Sequence, residues 1–525
     1  MKKIEKIVVV GGGSAGWMSA ATMVRAFPKK EIVVIESKEY PVIGVGESTI
    51  QQLKEWTSYI NLNEKDFMSY TDATYKFSIK FTDFFEKDSG SFHYPFGRPY
   101  IEESMSGIND WQIKKILNPS TPNSDFAETY FPILSLVEKN KISWNKDKAL
   151  SNFDFHQGTA YHFDAVKFAQ WLKNRYCLPK GVKLIQDTVS KVNTDNSGVL
   201  SVVLSDGSIV YGDLFIDCTG WNSLLIGKAL EEPFQDFSDT LPNNRAWATR
   251  IPYTDIREEM EPFTNCTAIG NGWIWNIPTW QRIGTGYVYS DKYVSKEQAL
   301  EEFKAYLISK KMKVHNPSRD VDSYEYKDIS FRTGIHKRTF VKNVVAIGLS
   351  AGFIEPLESN GLLTVHEFLL YLVDSLNKET ITEIDRKAYN TRVQKYFCDF
   401  AEFVALHYAF SNRTDTQYWR DVIERDYTKI PSSEYGAIKY LFDAKNIRYR
   451  FDPANGIPCI ATGMNFNPRT EHTLFKEIFY GGMPEDTYDR IHIIMKRWKQ
   501  LRKQWDNEAS RSPYMYDWLR DNIHK

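Results

Sequence analysis

The sequence is poor in cysteine, with five thiols in 525 residues, at Cys177, Cys218, Cys266, Cys398 and Cys459. No two form a CxxC pair, which argues against a zinc site or a disulfide framework and suits a reducing cytoplasm, the compartment expected here. Net charge is nearly absent, 66 Lys and Arg standing against 67 Asp and Glu. Such a balance offers no overall attraction to nucleic acid or to an anionic membrane. The local cluster Lys496 to Lys503 (KRWKQLRK) reads as a solvated helix face. There is no internal repeat and no low-complexity tract. One long uncharged run, Ile7 to Val24 behind Lys2, Lys3 and Lys6, imitates a signal peptide or anchor. Gly11, Gly12 and Gly13 would interrupt a membrane helix, so the run is expected to open the fold rather than to export or anchor the chain.

What is present is an ordinary globular composition, 42% hydrophobic and 25% charged, on a chain long enough to bury a large core. The N-terminus has a βαβ rhythm: Ile7–Val10 as a strand, Gly11–Gly16 as a turn, Trp17–Ala26 as a helix and Ile32–Ile35 as a strand. Residues 60–150 show only a loose pattern, with a clear loop at 119–124. A helix is predicted over Asp164–Tyr176, then strands at Val182–Ile185, Val199–Leu204 and Leu214–Ile216. Residues 245–290, rich in Trp, Tyr, Ile and Thr, suggest an antiparallel sheet. A buried strand at Val344–Ile347 precedes a long helix from Leu362 to about Asn377. Beyond it the chain reads as mainly helical, with loops near 429–436 and 452–471.

Gly11-Gly12-Gly13-Ser14-Ala15-Gly16 is a GxGxxG turn set directly between strand and helix. Gly11 permits the tight turn, Gly13 lets backbone approach a pyrophosphate, and Gly16 allows close helix–strand packing, while the helix N-terminus favours the anion. Glu36 ends the second strand, where a carboxylate can accept from a ribose hydroxyl; that favours FAD or NAD over NADP. A second glycine-bearing stretch, Val344–Gly352, lies more than 300 residues later. A nucleotide domain whose last strand returns that late suits FAD. No second complete GxGxxG is present, so reduced flavin is expected from a separate flavin reductase. The fold class is therefore α/β: a Rossmann-like FAD-binding domain of flavin monooxygenase type with an inserted antiparallel sheet. Its expected extent is residues 1–375, discontinuous, with nucleotide-binding parts at about 1–60, 160–225 and 340–375. Residues 376–525 form a mainly helical region expected to cover the substrate site.

Four segments in this order resemble the flavin-dependent tryptophan halogenases: Gly11–Trp17; Ile43-Gly44-Val45-Gly46-Glu47-Ser48-Thr49; Gly272-Trp273-Ile274-Trp275-Asn276-Ile277-Pro278, similar to the WxWxIP signature; and Phe353-Ile354-Glu355-Pro356-Leu357-Glu358-Ser359-Asn360-Gly361. The stretches Ala160–Ala165 (AYHFDA) and Asp213–Gly220 (DLFIDCTG) look familial as well, and the likeness runs from about residue 5 to 470.

The resemblance implies that reduced FAD, O2 and a halide give hypohalous acid, which travels to a lysine beside a small aromatic substrate. By that likeness the lysine is Lys76, with Lys80 second in line, and Glu358 takes the proton lost from the substrate or orients the oxidant. Ser359 would bridge the two, and Trp273 and Trp275 would wall the passage. The implied flavin contacts are Gly11, Gly13, Ser14, Ala15, Gly16 and Glu36, with Val189 at the adenine, Val45, Gly46 and Ser48 along the ring, and Leu349 and Leu362 flanking it. The amides of Asn360 and Gly361 would hold the halide: chloride, bromide or iodide. Asn360 replaces the usual threonine, and a looser site is expected to use bromide or iodide at least as well as chloride. The aromatic pairs that bind tryptophan are not evident towards the C-terminus, where Asn455–Ile460 stands instead. Phe92-His93-Tyr94-Pro95-Phe96, above all His93 and Phe96, supplies rings for a flat substrate. Tryptophan, other indoles and phenols all fit. A hydroxylating flavin monooxygenase and a catalytically idle FAD-binding protein are the competing readings, and a homo-oligomer is left open.

Overall fold

Runs of Val and Ile that are buried along their whole length belong in a parallel sheet covered on both faces. Ile7–Val10 and Ile32–Ile35 behave in that way. In the computed structural model, which describes residues 3–39, 44, 46–102, 108–144, 150–378, 380–430, 456–465 and 485–525, they are the centre of a six-stranded sheet. Its order is Phe340–Val341, Val344–Ala346, Leu214–Asp217, Lys6–Val10, Glu31–Ile35, Lys183–Ile185. All neighbours are parallel except the edge pair Phe340–Val341 with Val344–Ala346. The strands thus come from three distant parts of the chain. Helix Ser14–Ala26 crosses from the first strand to the second, and helix Leu363–Leu376 packs against it. The uncharged run Ile7–Val24 is strand and helix, and among the described residues no helix is long and apolar enough to cross a membrane.

The second large sheet has seven strands, in the order Lys327–Ser330, Arg245–Ile251, Ile283–Tyr289, Gly272–Pro278, Phe263–Ile269, Ser78–Thr82, Ser91–Pro95. The strands from residues 245–290 pair antiparallel, as expected, and the sheet becomes mixed only where Ser78–Thr82 runs parallel to Phe263–Thr267. One expectation is corrected here: residues 60–150 are not loosely built, for they supply two strands of this sheet, and Thr74–Lys76 pairs with Ala160–Phe163 in a small third sheet. The period-2 signal was present, in Ser78-Ile79-Lys80-Phe81-Thr82 and Ser91-Phe92-His93-Tyr94, where polar and apolar residues alternate strictly, but each strand is only five residues long and is set among turns that obscure it.

Pairing fixes the two faces of the seven-stranded sheet. Ile79, Phe81, Phe92, Tyr94, Cys266, Trp273 and Trp275 share one face through the register Ile79↔Tyr94, Phe81↔Phe92, Cys266↔Phe81 and Cys266↔Trp275. Ser78, Lys80, His93, Phe263 and Ile274 lie on the other.

Helix Glu383–Ala409 starts at a capping box between Thr382 and Asp385. Its Asn390 closes the edge of the nucleotide sheet: Oδ1 accepts from the amides of Thr339 and Phe340 at 2.9 and 2.8 Å, and Nδ2 donates to the Phe340 carbonyl at 2.9 Å. The other end of the helix carries Phe403 and His407 over the first face of the seven-stranded sheet, His407 lying 4.6 Å from the Phe81 ring. Within the span expected to be loop at 452–471, Gly456–Gly463 is a helix. It lies so close to the sheet that a methyl on Gly463 would fall 2.2 Å from the Phe92 ring. The loop expected at 429–436 lies, from 431 on, outside the described residues.

Candidate active site

The strand–turn–helix at the N-terminus has the shape its glycines require. Gly11 has φ 115°, and a Cβ there would sit 2.2 Å from the Cys218 carbonyl oxygen, so a side chain is excluded twice over. A Cβ on Gly16 would meet the Gly11 carbonyl at 1.9 Å, which is the close helix–strand packing expected of the third glycine. Gly13 is different: a Cβ there would meet nothing within 4 Å. Gly13 is also the N-cap of the helix, and no side chain caps the first turn. Open space over a glycine, with amide donors left to a ligand, fits a pyrophosphate. These residues fit FAD.

Around that cradle, Ser14 Oγ donates to the Ala165 carbonyl at 3.3 Å, and Ala15 packs against Gly348, whose added Cβ would lie 2.8 Å from the Ala15 Cβ. The late segment therefore reaches the helix start, bringing Leu349 in the turn Gly348–Ser350 and Leu362 at the N-cap of the long helix. Glu36 is ion-paired with Lys173 and lies 3.5 Å from the Trp17 indole nitrogen. Val189 opens the strand Val189–Asp195 beside Thr188, whose hydroxyl meets Ser37 at 2.7 Å next to Glu36. Gly46 is described, with φ 104°; Val45 lies outside the described residues.

Lys76 ends strand Thr74–Lys76 and is fully buried. Its ammonium donates to Ser48 Oγ at 2.9 Å, to the Thr49 carbonyl at 2.9 Å and to Ser359 Oγ at 2.8 Å, so each of its three protons has an acceptor. The hydroxyls continue the network: Ser48 meets Ser359 at 3.0 Å and Thr264 at 2.6 Å, and Thr264 meets His162 Nε2 at 2.9 Å. Ser359 is held at φ 58° just after the turn Pro356–Glu358, a left-handed conformation that costs free energy in a serine. Burial drives the Lys76 ammonium down to about 7, against the pull of Glu358 and Glu47.

Glu358 is buried, and its Oε1 lies 2.8 Å from His407 Nε2. Burial raises its carboxyl, opposed first by His407 and then by Lys76. Glu355, three residues earlier, accepts on Oε2 from Asn243 Nδ2 at 2.7 Å, Trp273 Nε1 at 2.9 Å and Tyr408 OH at 2.7 Å. The indole of Trp273 is thereby tied to the turn that carries Glu358. Trp275 lies 6.1 Å from Trp273 and over Gly286, where an added methyl would fall 2.2 Å from the ring. Asn360 turns its side chain into its own loop, Nδ2 donating to the Ile354 carbonyl at 3.2 Å. A methyl on Gly361 would lie 3.2 Å from Glu47 Oε1, and burial lifts the Glu47 carboxyl to about 8.

The site-residue expectations divide accordingly. Lys76, Ser359 and Glu358 come together, and Phe96 joins them with its ring 5.1 Å from the ammonium. Ser48, expected along the flavin ring, has its hydroxyl on Lys76. His93 is not brought to this site: it lies on the opposite sheet face, 3.0 Å from Ser78 Oγ and edge-on to Phe263, and burial holds its imidazole down at about 3. Period-2 alternation separates it from Phe92 and Tyr94. Lys80 shares that far face, its ammonium 5.6 Å from the Phe263 ring. Glu47, Glu355 and His162 were missed although all three stand inside quoted motifs. His407 had no sequence signal, being one histidine in a long helix.

Comparison with known proteins agrees in extent. The tryptophan halogenase family profile matches residues 6–477. The tryptophan 6-halogenase ThaL of Streptomyces albogriseolus is 34% identical, over 80% of this chain and 78% of its own. Among solved structures, VirX1 in its apo form aligns at TM-score 0.90 with 36% identity over the whole of both chains. The tryptophan 6-halogenase SttH of Streptomyces toxytricini aligns at 0.83 with 28% identity, covering 98% of this chain and 99% of that one.

Proposed function

Since this chain belongs to the tryptophan halogenase family and is a flavin-dependent halogenase, we propose that it halogenates an electron-rich aromatic substrate, an indole, tryptophan or a phenol, with Lys76 and Glu358 at the reacting atoms. One observation carries the reading: the fully buried Lys76 ammonium is hydrogen-bonded to Ser359, the residue next to Glu358. Burying an ammonium costs several kcal/mol, and a fold that needed only volume here would use an apolar side chain.

When bound, reduced FAD with O2 supplies the two-electron oxidation that converts a halide ion to hypohalous acid. Gly13 and the helix amides after it hold the pyrophosphate, and Glu36 the ribose. The amides of Asn360 and Gly361 hold the halide, with bromide or iodide used at least as well as chloride. Lys76, poised near neutrality, either exchanges one of its three acceptors for the oxidant or, as a free amine, takes the halogen from hypohalous acid with loss of water. Glu358 accepts the proton that the ring carbon loses. Residues 1–375 serve as the discontinuous flavin-binding core, and 376–525 cover the substrate.

The test is product formation from a panel of indoles and phenols with FAD, O2, a separate flavin reductase and equal chloride, bromide and iodide. NADH or NADPH without the reductase should give no product. Lys76→Ala should abolish product while flavin binding and reoxidation persist, and Lys80→Ala should change little. Glu358→Gln should lower turnover about 10²-fold. Near wild-type yield from Lys76→Ala would refute the assignment of Lys76, and a clear chloride preference would refute the halide argument.

A further inference from the structure

His407 lies in the last turn of helix Glu383–Ala409 and is fully buried. Its imidazole is boxed by rings, with Phe81 at 4.6 Å, Phe403 at 5.8 Å and Phe84 at 6.3 Å. Its two polar contacts point opposite ways. Nδ1 lies 3.1 Å from the Val404 carbonyl oxygen, and a carbonyl only accepts, so Nδ1 carries a hydrogen. Nε2 lies 2.8 Å from Glu358 Oε1. Two atoms that both bear lone pairs and no hydrogen repel at that distance, so one proton must lie between them. With Nδ1 already protonated, the pair is either imidazolium with carboxylate or imidazole with carboxylic acid. Aromatic walls offer neither state a second partner.

We infer that His407 is the positioning residue for Glu358: it holds the proton shared across Nε2 and Oε1 and so keeps Glu358 a carboxylate inside a site that excludes water. This rests on the reading of Glu358 as the carboxylate at the reacting atoms. Neither Glu358 oxygen nor His407 Nε2 makes a hydrogen bond of good geometry among the described residues, but Oε1 faces Nε2 at 2.8 Å, so Oε2 is the oxygen left for the substrate. The proton leaving the ring carbon bonds to Oε2 while the C–H electron pair returns to the ring, and product release exposes that proton to water. The remaining partners of Glu358 cannot replace His407. Lys76 already spends its three protons on Ser48, Thr49 and Ser359. Glu355 carries charge of the wrong sign, and Tyr94, Cys266 and Cys459 are all pushed upward by burial and stay neutral.

The experiment is a pH profile of halogenation for His407→Gln, which keeps a side-chain donor but has no proton to share, compared in the wild-type and Glu358→Gln backgrounds. Without the imidazolium the Glu358 carboxylate forms only at higher pH. The acidic limb of the profile should therefore rise by a unit or more, and on that limb activity should fall about tenfold for each unit. In the Glu358→Gln background His407→Gln should change neither the residual rate nor its profile, because the coupling runs through Glu358. FAD binding reports folding of each variant, and His407→Asn asks the same question with a smaller side chain. A wild-type profile in both single His407 variants overturns the inference, and so does a shift that persists without Glu358, which would place the effect on Lys76 or Glu47. Wild-type turnover in Glu358→Gln itself would overturn the reading of Glu358, and this inference with it.

Discussion

At the scale of single residues, the site is costly to stability, and the cost identifies its members. Lys76 is an ammonium without solvent; its loss leaves Ser48 and Ser359 paired with each other at 3.0 Å, and only the Thr49 carbonyl gives up its donor. Replacing a buried charge by an apolar group of similar length is often neutral or stabilising by about 1–4 kcal/mol. Lys76→Met should therefore unfold no more easily than the wild type while making no product. Because the folded-state value of Lys76 is lowered to about 7, the unfolded chain binds more protons than the folded one above that pH. Stability through this group thus rises with pH, and the advantage of Lys76→Met should shrink between about pH 7 and 10. Thermal midpoints across that range check it; a Lys76→Met protein clearly less stable at pH 7 would show that the lysine is structural.

Glu47 poses the opposite problem, a carboxyl beside the glycine whose amide is proposed to hold an anion. Two like charges about 4 Å apart repel by roughly 4 kcal/mol at the effective dielectric near a protein surface. Halide and ionised Glu47 therefore exclude one another. Burial raises Glu47 to about 8, so it is neutral below that pH and becomes an anion above it. The halide KM should climb above about pH 8, and Glu47→Gln should remove that rise. A halide KM that is flat with pH in the wild type would count against a halide at Gly361.

At the scale of elements, the two ends of helix Glu383–Ala409 do different work. Near its start, Asn390 supplies the hydrogen bonds that a further strand would have made to Thr339 and Phe340, and near its end His407 reaches Glu358. Asn390→Leu preserves bulk but leaves buried strand amides unpaired, at about 1–3 kcal/mol each. We expect a lower thermal midpoint with turnover per folded molecule unchanged at low temperature. An unaltered midpoint would show that the edge is satisfied in another way. Helix Gly456–Gly463 illustrates an element that was read as loop. Gly456, Pro458 and Gly463 are poor helix residues in isolation, but here the glycines let the backbone lie against the Phe403 and Phe92 rings. Tertiary packing outweighed propensity.

At the scale of the molecule, the groups gathered at the proposed site come from four distant stretches: Glu47 and Ser48, Lys76, the turn 355–361, and His407. The nucleotide fold was legible because it depends on local rules. A β-branched run, three glycines at fixed offsets and a terminal carboxylate state their own geometry within the first 36 residues, and the strands near 214 and 344 announce themselves as short apolar runs that are buried on both faces. The motifs around Lys76, Trp273 and Glu358 were legible in the same way, each within a few residues. Alternation in Phe92-His93-Tyr94-Pro95-Phe96 sets His93 apart from the three rings around it, but sequence could not say which of the two faces looks onto the site. That decided His93 against Phe96, and it depended on the pairing of Ser78–Thr82 with strands from both Ser91–Pro95 and Phe263–Ile269. Nor could it couple His407 to Glu358, since hydrogen bonds between groups 49 residues apart along the chain leave no periodicity to read. The sequence by itself determined the cofactor class, the family and the residues that carry charge. Which of those charges share a proton was settled only by packing, because a buried pair takes its protonation from the atoms that close around it.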